Sequence, residues 1–326
     1  MPNIYYEKPP AVFPAFDPAI IEVSPALALT VSPGYPNSAI PPVSVGVPSS
    51  DGSRSSGDIA AVARRCFWDL VEATQQDSGS LSLSVDYNLV ANISVADVGS
   101  FAAINAVHQY GENVPSQTAP YFATRLAVKY PGYPLNVAVV NPTYQDDTQP
   151  VMIQAKSGGS VVSQGNLSGQ PHVVVSVPDG VNELVVGDVS LPVETGCVDD
   201  SPVLIQWINT EGGYDARMFN ARHTTDLART DTEQIEFSDP QGARDRIEAS
   251  FFRVQKSVTV GDDMLTKEEY DRLLGVLSSP RVYYWDASLE IWIGVVLEDM
   301  TASWDSQSNV GAIEFSFDFP QKRLQL

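Results

Sequence analysis

Basic residues, histidine and cysteine are the scarce groups in this chain, and each shortage removes a class of function. Across 326 residues, 19 lysines and arginines face 40 aspartates and glutamates, for a formal net charge of −21. Such a balance leaves no electrostatic footprint for gripping a phosphate backbone. The three histidines are His108, His172 and His223. None has a second histidine at a metal-ligand spacing and no HExxH helix occurs, whereas zinc needs three or four converging ligands. They read as surface or hydrogen-bonded residues, and neither a metal nor a cofactor is expected. The two cysteines, Cys66 and Cys197, form no CxxC unit. They read as isolated reduced core thiols, with a disulfide within the second domain as the alternative. No run approaches the ~18 consecutive apolar residues that a membrane span needs, so membrane insertion is not expected. The opening Met1–Glu7 lacks a basic stretch followed by an apolar one. A secretory signal is therefore not expected, and assembly in a cytoplasm is.

The motifs of common catalysts are missing too. There is no GxSxG elbow, no GxxxxGK[ST] loop and no GxGxxG after a strand. Glu211-Gly212-Gly213 reads as a turn, because the strand-to-helix setting of a phosphate cradle is absent. Asp146-Asp147, Asp199-Asp200 and Asp262-Asp263 do not follow the spacing of an EF-hand loop and read as solvated loop charges. A pair of glycosidase carboxylates cannot be picked from so many acids. Asn92-Ile93-Ser94 and Asn166-Leu167-Ser168 match the glycosylation sequon, by chance if no secretory signal operates. No catalytic residue is expected, and the chain is not read as an enzyme.

What the chain has is β-strand pattern. With 43% hydrophobic residues and a mean hydropathy of −0.08, it is long enough for two or three domains. A mainly β, multi-domain architecture of sandwich or barrel modules is expected. Residues 1–58 are Pro/Ser-rich, from Pro9-Pro10 through Pro41-Pro42 to the run Ser49–Asp58. Prolines at this density exclude helix and central strand, yet Phe13, Phe16, Ile20, Ile21 and Leu29 are apolar enough to bury. An extended arm is expected, packed on a neighbouring subunit or along its own domain, with an ordinary edge segment as the alternative. Residues 59–200 read as a β-sandwich-like domain. It opens with a short helix from Asp58 to about Val71, burying Ile59, Val62, Ala63 and Cys66. Leu81, Leu83, Val85, Tyr87 and Leu89 then alternate with largely polar positions. Strand-like runs follow at 126–130, 135–140, 151–155, 161–162, 173–177 and 183–186, punctuated by Gly- and Pro-containing turns. Cys197–Pro202 is the expected linker.

Residues 201–326 carry the clearest pattern. Thr266 and Glu269 make a capping box, followed by Tyr270, Leu273, Leu274 and Leu277 at i, i+3, i+4 and i+7. One amphipathic helix of about three turns is predicted, stopped by Ser278-Ser279-Pro280. Arg246–Val254 reads as a strand, Arg281–Trp285 and Leu289–Val295 as a hairpin, and Gly311–Phe319 as a half-buried strand with Ile313, Phe315, Phe317 and Phe319 on one face.

Three pieces of this last part, taken as an ordered set, resemble phage tail and baseplate structural proteins of Bacteroidetes-type hosts. They are Ile205–Asp215, Leu265–Tyr283 and Trp292–Phe319. The resemblance covers about the last 125 residues and is to the distal-tail or tail-tube ring domain. It implies a β-sandwich or barrel with one flanking helix, and a homo-oligomer in the form of a hexameric ring. It further implies other tail or baseplate proteins as partners, DNA only as passing cargo, and a place in the virion tail. No catalytic or metal-binding residue comes with it. A receptor- or glycan-binding tail accessory protein is the alternative. Tyr283, Tyr284, Trp285 and Trp292 gather on one hairpin and suit core packing, a subunit interface or a ligand platform. The surplus of acid reads first as a solvated surface; acidic groups lining a pore that DNA must slide through are compatible with it.

Overall fold

The computed structural model describes all residues except 1–3, 8, 17–18, 25–28, 35–40, 49–53, 68–73, 77–80, 97, 107–118, 146–149, 168, 199–201, 220–221, 238–245, 320–321 and 326. Of strand residues 4–7, 23–24, 47–48, 74–76, 222–223, 226–237, 246–255 and 322–325, the backbone alone is described. The chain is mainly β and divides into two units. The first comprises Met1–Cys197 and Ile208–Ala216; the second comprises Val198–Trp207 and Arg217–Leu326.

The first unit holds two layered packs of sheet. One pack contains a four-stranded sheet of β1 (Ile4–Glu7), β3 (Ile20–Ser24), β7 (Ser55–Asp58) and β6 (Val47–Pro48), in that order. Its second sheet runs β2 (Val12–Pro14), β11 (Gly99–Ile104), β10 (Val90–Val95), β4 (Leu29–Pro33) and β5 (Val43–Val45). Helix α1 (Ala60–Cys66) shares one core with them, built from Phe13, Ile21, Val31, Ile59, Val62, Ile93 and Phe101 among others. The described part of the proline-rich 1–58 stretch thus packs along its own unit. The expectation that its prolines exclude central strands is corrected: β3, β7 and β4 are inner strands of their sheets, and the prolines fall at the ends of short strands of two to five residues. The predicted extension of α1 to Val71 falls largely outside the described residues.

The other pack is a sandwich. One sheet is β12 (Tyr121–Phe122), β14 (Asn136–Val140), β17 (His172–Ser176), β9 (Leu83–Val85) and β8 (Thr74–Gln76). The facing sheet is β13 (Ala127–Lys129), β19 (Val189–Thr195), β18 (Glu183–Val186), β15 (Met152–Ser157) and β16 (Ser160–Asn166). Leu83, Val137, Val139, Ile153, Leu167, Val175, Leu184 and Val186 form its core. The alternation read from Leu81 to Leu89 is seen as burial at all five positions, although the strand spans only Leu83–Val85 before the chain turns. Cys66 is buried and Cys197 exposed, and neither is in a disulfide. Cys197 is therefore no core thiol.

The second unit is one curled sheet of seven strands in the order β21, β20, β24, β25, β26, β23, β22, with an eighth strand, β27, beside β23. They span Val203–Ile208 (β20), Tyr214–Phe219 (β21), Arg222–Phe237 (β22), Arg246–Leu265 (β23), Val282–Asp286 (β24), Ile291–Asp305 (β25), Val310–Asp318 (β26) and Lys322–Gln325 (β27). Ile313, Phe315 and Phe317 of β26 are buried on one face while Glu314 is exposed on the other, so the period of two sets the inside of the curl. Phe219 meets Phe315 edge-on at 5.4 Å.

Against that inner face lies α2 (Lys267–Leu273). The Thr266 Oγ1 accepts from the Glu269 N–H at 3.3 Å, and the Thr266 N–H donates to Glu269 Oε2 at 3.0 Å, a complete capping box. Arg217 on β21 joins this corner, donating to Glu269 Oε1 at 3.0 Å and to Asp262 Oδ2 at 2.6 Å. Burial alone would raise the Glu269 carboxyl. The bonds from Thr266 and Arg217 outweigh it and hold the group below the usual range. The predicted single helix is corrected in one respect. It ends at Leu273, and α3 (Gly275–Ser278) begins after a tight turn at Leu274, whose ψ is −23°. The buried positions are Tyr270, Leu273 and Val276, three apart, and Leu277 points to solvent with 56% exposure. A local tightening toward three residues per turn exchanges Val276 for Leu277.

Replacing Thr266 by Ala removes the side-chain half of the capping box and is expected to cost about 1 kcal/mol. Urea unfolding should show a lower midpoint with an unchanged slope.

Candidate functional site

The richest polar constellation in the described chain surrounds the turn Ile208–Ala216, which joins β20 to β21 and belongs to the first unit. Its geometry starts from two glycines. Gly212 has φ +78°, and a Cβ there would lie 2.0 Å from Ile104 Cγ2. Gly213 faces main chain: a Cβ would lie 2.5 Å from the carbonyl carbon of Ala123. Only a bare backbone can enter this seat.

Asn209 organises the turn from within. Its Oδ1 accepts from the N–H groups of Glu211 and Gly213, each at 3.0 Å, and its Nδ2 donates to the Ala123 carbonyl at 2.8 Å. This is the local side-chain bonding that favours Asn in turns. On one flank the Arg125 N–H donates to Asp215 Oδ1 at 3.1 Å, and the Arg125 guanidinium reaches Thr210 Oγ1 at 3.0 Å and Glu211 Oε1 at 2.8 Å. Burial pushes the Asp215 carboxyl up, with the bonds from Arg125 and Asn209 working against it. Burial, helped by the charge of Glu211, lifts the Tyr121 hydroxyl to about 12.

On the other flank the Tyr214 hydroxyl donates to Asp86 Oδ2 at 2.6 Å, while Asp86 Oδ1 accepts from the N–H and side-chain amide of Asn88. His172, on β17, has no exposed surface. Its Nε2 lies 3.0 Å from the Gly212 carbonyl oxygen. A carbonyl only accepts, so Nε2 carries the proton and Nδ1 is bare. Nδ1 is buried without a hydrogen-bond partner among the described residues. Burial holds the imidazole down at about 4, against smaller upward pulls from the Gly212 carbonyl and the Asp86 charge. His172 is therefore neutral and sealed. It cannot serve an outside substrate as acid or base, and the constellation does the work of holding a turn.

Of the four aromatic residues singled out in sequence, the structure brings all to the β24–β25 ladder but on different faces. Tyr284 packs inward, edge-on to Phe319 at 4.9 Å and 6.1 Å from Phe317, with the Lys256 ammonium 4.4 Å from the Phe319 ring. Trp285 and Trp292 stand directly opposite each other across the ladder, edge-on at 5.2 Å and half-buried. Tyr283 faces Gly294 in register and is half-buried. Of the other histidines, His108 lies outside the described residues, as does the Asp146-Asp147 pair. Among the described residues, no group of three or more His, Cys, Asp or Glu could hold a metal ion, and no helix is long and apolar enough to cross a membrane.

The role of the seat was hidden in sequence. Gly212-Gly213 was legible as a turn, but the residues that receive it (Asp86, Ala123, Arg125 and His172) are 40 to 128 positions away. Replacing Gly213 by Ala forces a methyl group against main chain that cannot rotate aside. The expected loss is on the order of 2 kcal/mol or more, read as a lowered midpoint of chemical unfolding. Gly294, where a Cβ would meet nothing within 4 Å, should accept Ala with little change in the same assay.

Compared with known proteins, the chain matches no family model, no curated protein and no solved structure.

Proposed function

We propose that this chain is a structural subunit of a phage tail or baseplate, which assembles with copies of itself into a ring around a channel for DNA. The observation that carries the reading is the sheet of the second unit. It curls through seven strands and ends on β22, a 16-residue strand whose described partner is β23 alone. A long open edge presents a row of backbone donors and acceptors and invites pairing with another chain. Repeating one subunit around a closed ring gives every such edge the same partner and stops growth. The ordered motifs in 205–215, 265–283 and 292–319 support the same reading through the resemblance they carry. The net charge of −21 suits a channel wall that repels phosphate. In this reading the partners are other copies of the chain and neighbouring tail proteins, and the location is the virion. The half-buried pair Trp285 and Trp292 would lie at a contact between subunits.

A second reading, a glycan- or receptor-binding tail accessory protein, is favoured by one observation. Gly294 leaves open space on the strand that also carries Trp292 and the exposed Val296, so a ligand could approach the backbone beside an aromatic ring there.

Light scattering on the purified protein at low and high salt separates the two. The ring reading expects a particle of about six times the 35.3 kDa chain, with Trp285→Ala/Trp292→Ala lowering the assembled fraction. A monomer at both salt concentrations overturns assembly by this chain alone.

A further inference from the structure

We propose that His172 is an acid-operated latch on the turn Ile208–Ala216: protonation of its bare Nδ1 opens the seat in which Gly212 and Gly213 lie. The argument rests on placement within the first unit. The imidazole has no exposed surface. Its Nε2–H is committed to the Gly212 carbonyl at 3.0 Å, so an arriving proton has only Nδ1 to bind, and Nδ1 has no acceptor among the described residues. A buried cation with an unsatisfied N–H is costly, and admitting water relieves that cost. The turn is the element bonded directly to the ring, and it is held by discrete hydrogen bonds to Ala123, Arg125, Asp86 and His172.

The charged surroundings set the direction. Strands β14 and β9, which flank β17 in the sheet, carry no ionisable side chain in Asn136–Val140 or Leu83–Val85. Continuing the β17–β9 register, in which Val174 faces Ser84, sets Asp86 opposite His172. Among the described residues, Asp86 is the one acid whose charge acts on the ring, and its oxygens are already taken by Tyr214 and Asn88. A protonated His172 would compete with Tyr214 for that carboxylate, loosening a second bond of the turn. On the turn itself, Glu211 is paired with Arg125, and Asp215 accepts from the Arg125 N–H. Burial raises the Asp215 carboxyl, so its protonation on acidification favours the closed seat and opposes the latch. The His172 ring works the other way. Its closed-state value of about 4 lies below the ordinary 6.5. Closure from this group is therefore at full strength above pH ~6.5 and weakens progressively as pH falls toward ~4.

Hydrogen exchange of the full-length protein, followed by mass spectrometry on peptides covering 208–216 and corrected for the intrinsic pH dependence of exchange, tests this between pH 7.5 and 5. That window stays above the isoelectric point of about 4.3. Opening of the turn should rise roughly 30-fold in the wild type. His172→Gln keeps a donor for Gly212 but cannot take a proton, and should abolish or reverse the rise. His172→Asn serves as the second neutral variant should the glutamine fit poorly. Equal pH dependence in the wild type and a folded neutral variant overturns the proposal, as does a rise of equal size spread over all peptides of the first unit.

Discussion

The seating of Ile208–Ala216 is the constraint on which most else in the chain depends. The residues on both sides of this turn belong to the second unit, while the turn itself completes the first. Its backbone enters where no side chain fits, and its polar groups are answered one by one: Asn209 by Ala123, Asp215 by Arg125, Tyr214 by Asp86 and Gly212 by His172. Each bond alone is worth about 1 kcal/mol net. Each is far more costly to leave half-made in the interior, so the set holds together or opens together.

The second unit is organised by a different balance. Its sheet gains its inside from the strict alternation of Ile313, Phe315 and Phe317, and from Trp207 on β20, Phe219 on β21 and Val258 and Val260 on β23. The short helix covers that face at one corner, where Arg217 links β21, β23 and the start of α2 through two carboxylates. Lys267–Asp271 and Arg272–Glu268 on the outer side of α2 contribute little by comparison, because exposed pairs pay side-chain entropy for a screened attraction.

Local signals were legible where they are self-contained. The capping box needs only Thr266 and Glu269. The β26 face needs only a period of two, and the β24–β25 hairpin only its two β-rich arms. Within the sandwich, β13, β14, β15, β17 and β18 lie within two residues of short apolar runs between turns, whereas β16 extends well beyond the run at 161–162 and β8, β12 and β19 match no run read as a strand. Legibility failed where a distant partner decides. Leu277 fits an ideal helical stripe, yet a tightened turn at Leu274 buries Val276 in its stead. His172 reads in sequence as a surface or hydrogen-bonded residue and is hydrogen-bonded, but nothing in its neighbourhood of sequence names Gly212, 40 positions on, as its acceptor. The four aromatics were found together as a cluster, but their division between the inner and outer faces follows from strand register, which residue type alone does not fix.

The division of the chain also bears on how it is made. Translation delivers the first unit as residues 1–197, then ten residues of the second, and only then the nine-residue turn that the first still lacks. The amino-terminal unit, which by position would be expected to finish folding first, must therefore wait with the Ala123 carbonyl, the His172 Nε2–H and the Asp86 Oδ2 without the partners that the turn supplies. Its completion and the start of the second unit's sheet are parts of one event during synthesis. A fragment ending near residue 200 would be the first unit with its seat open.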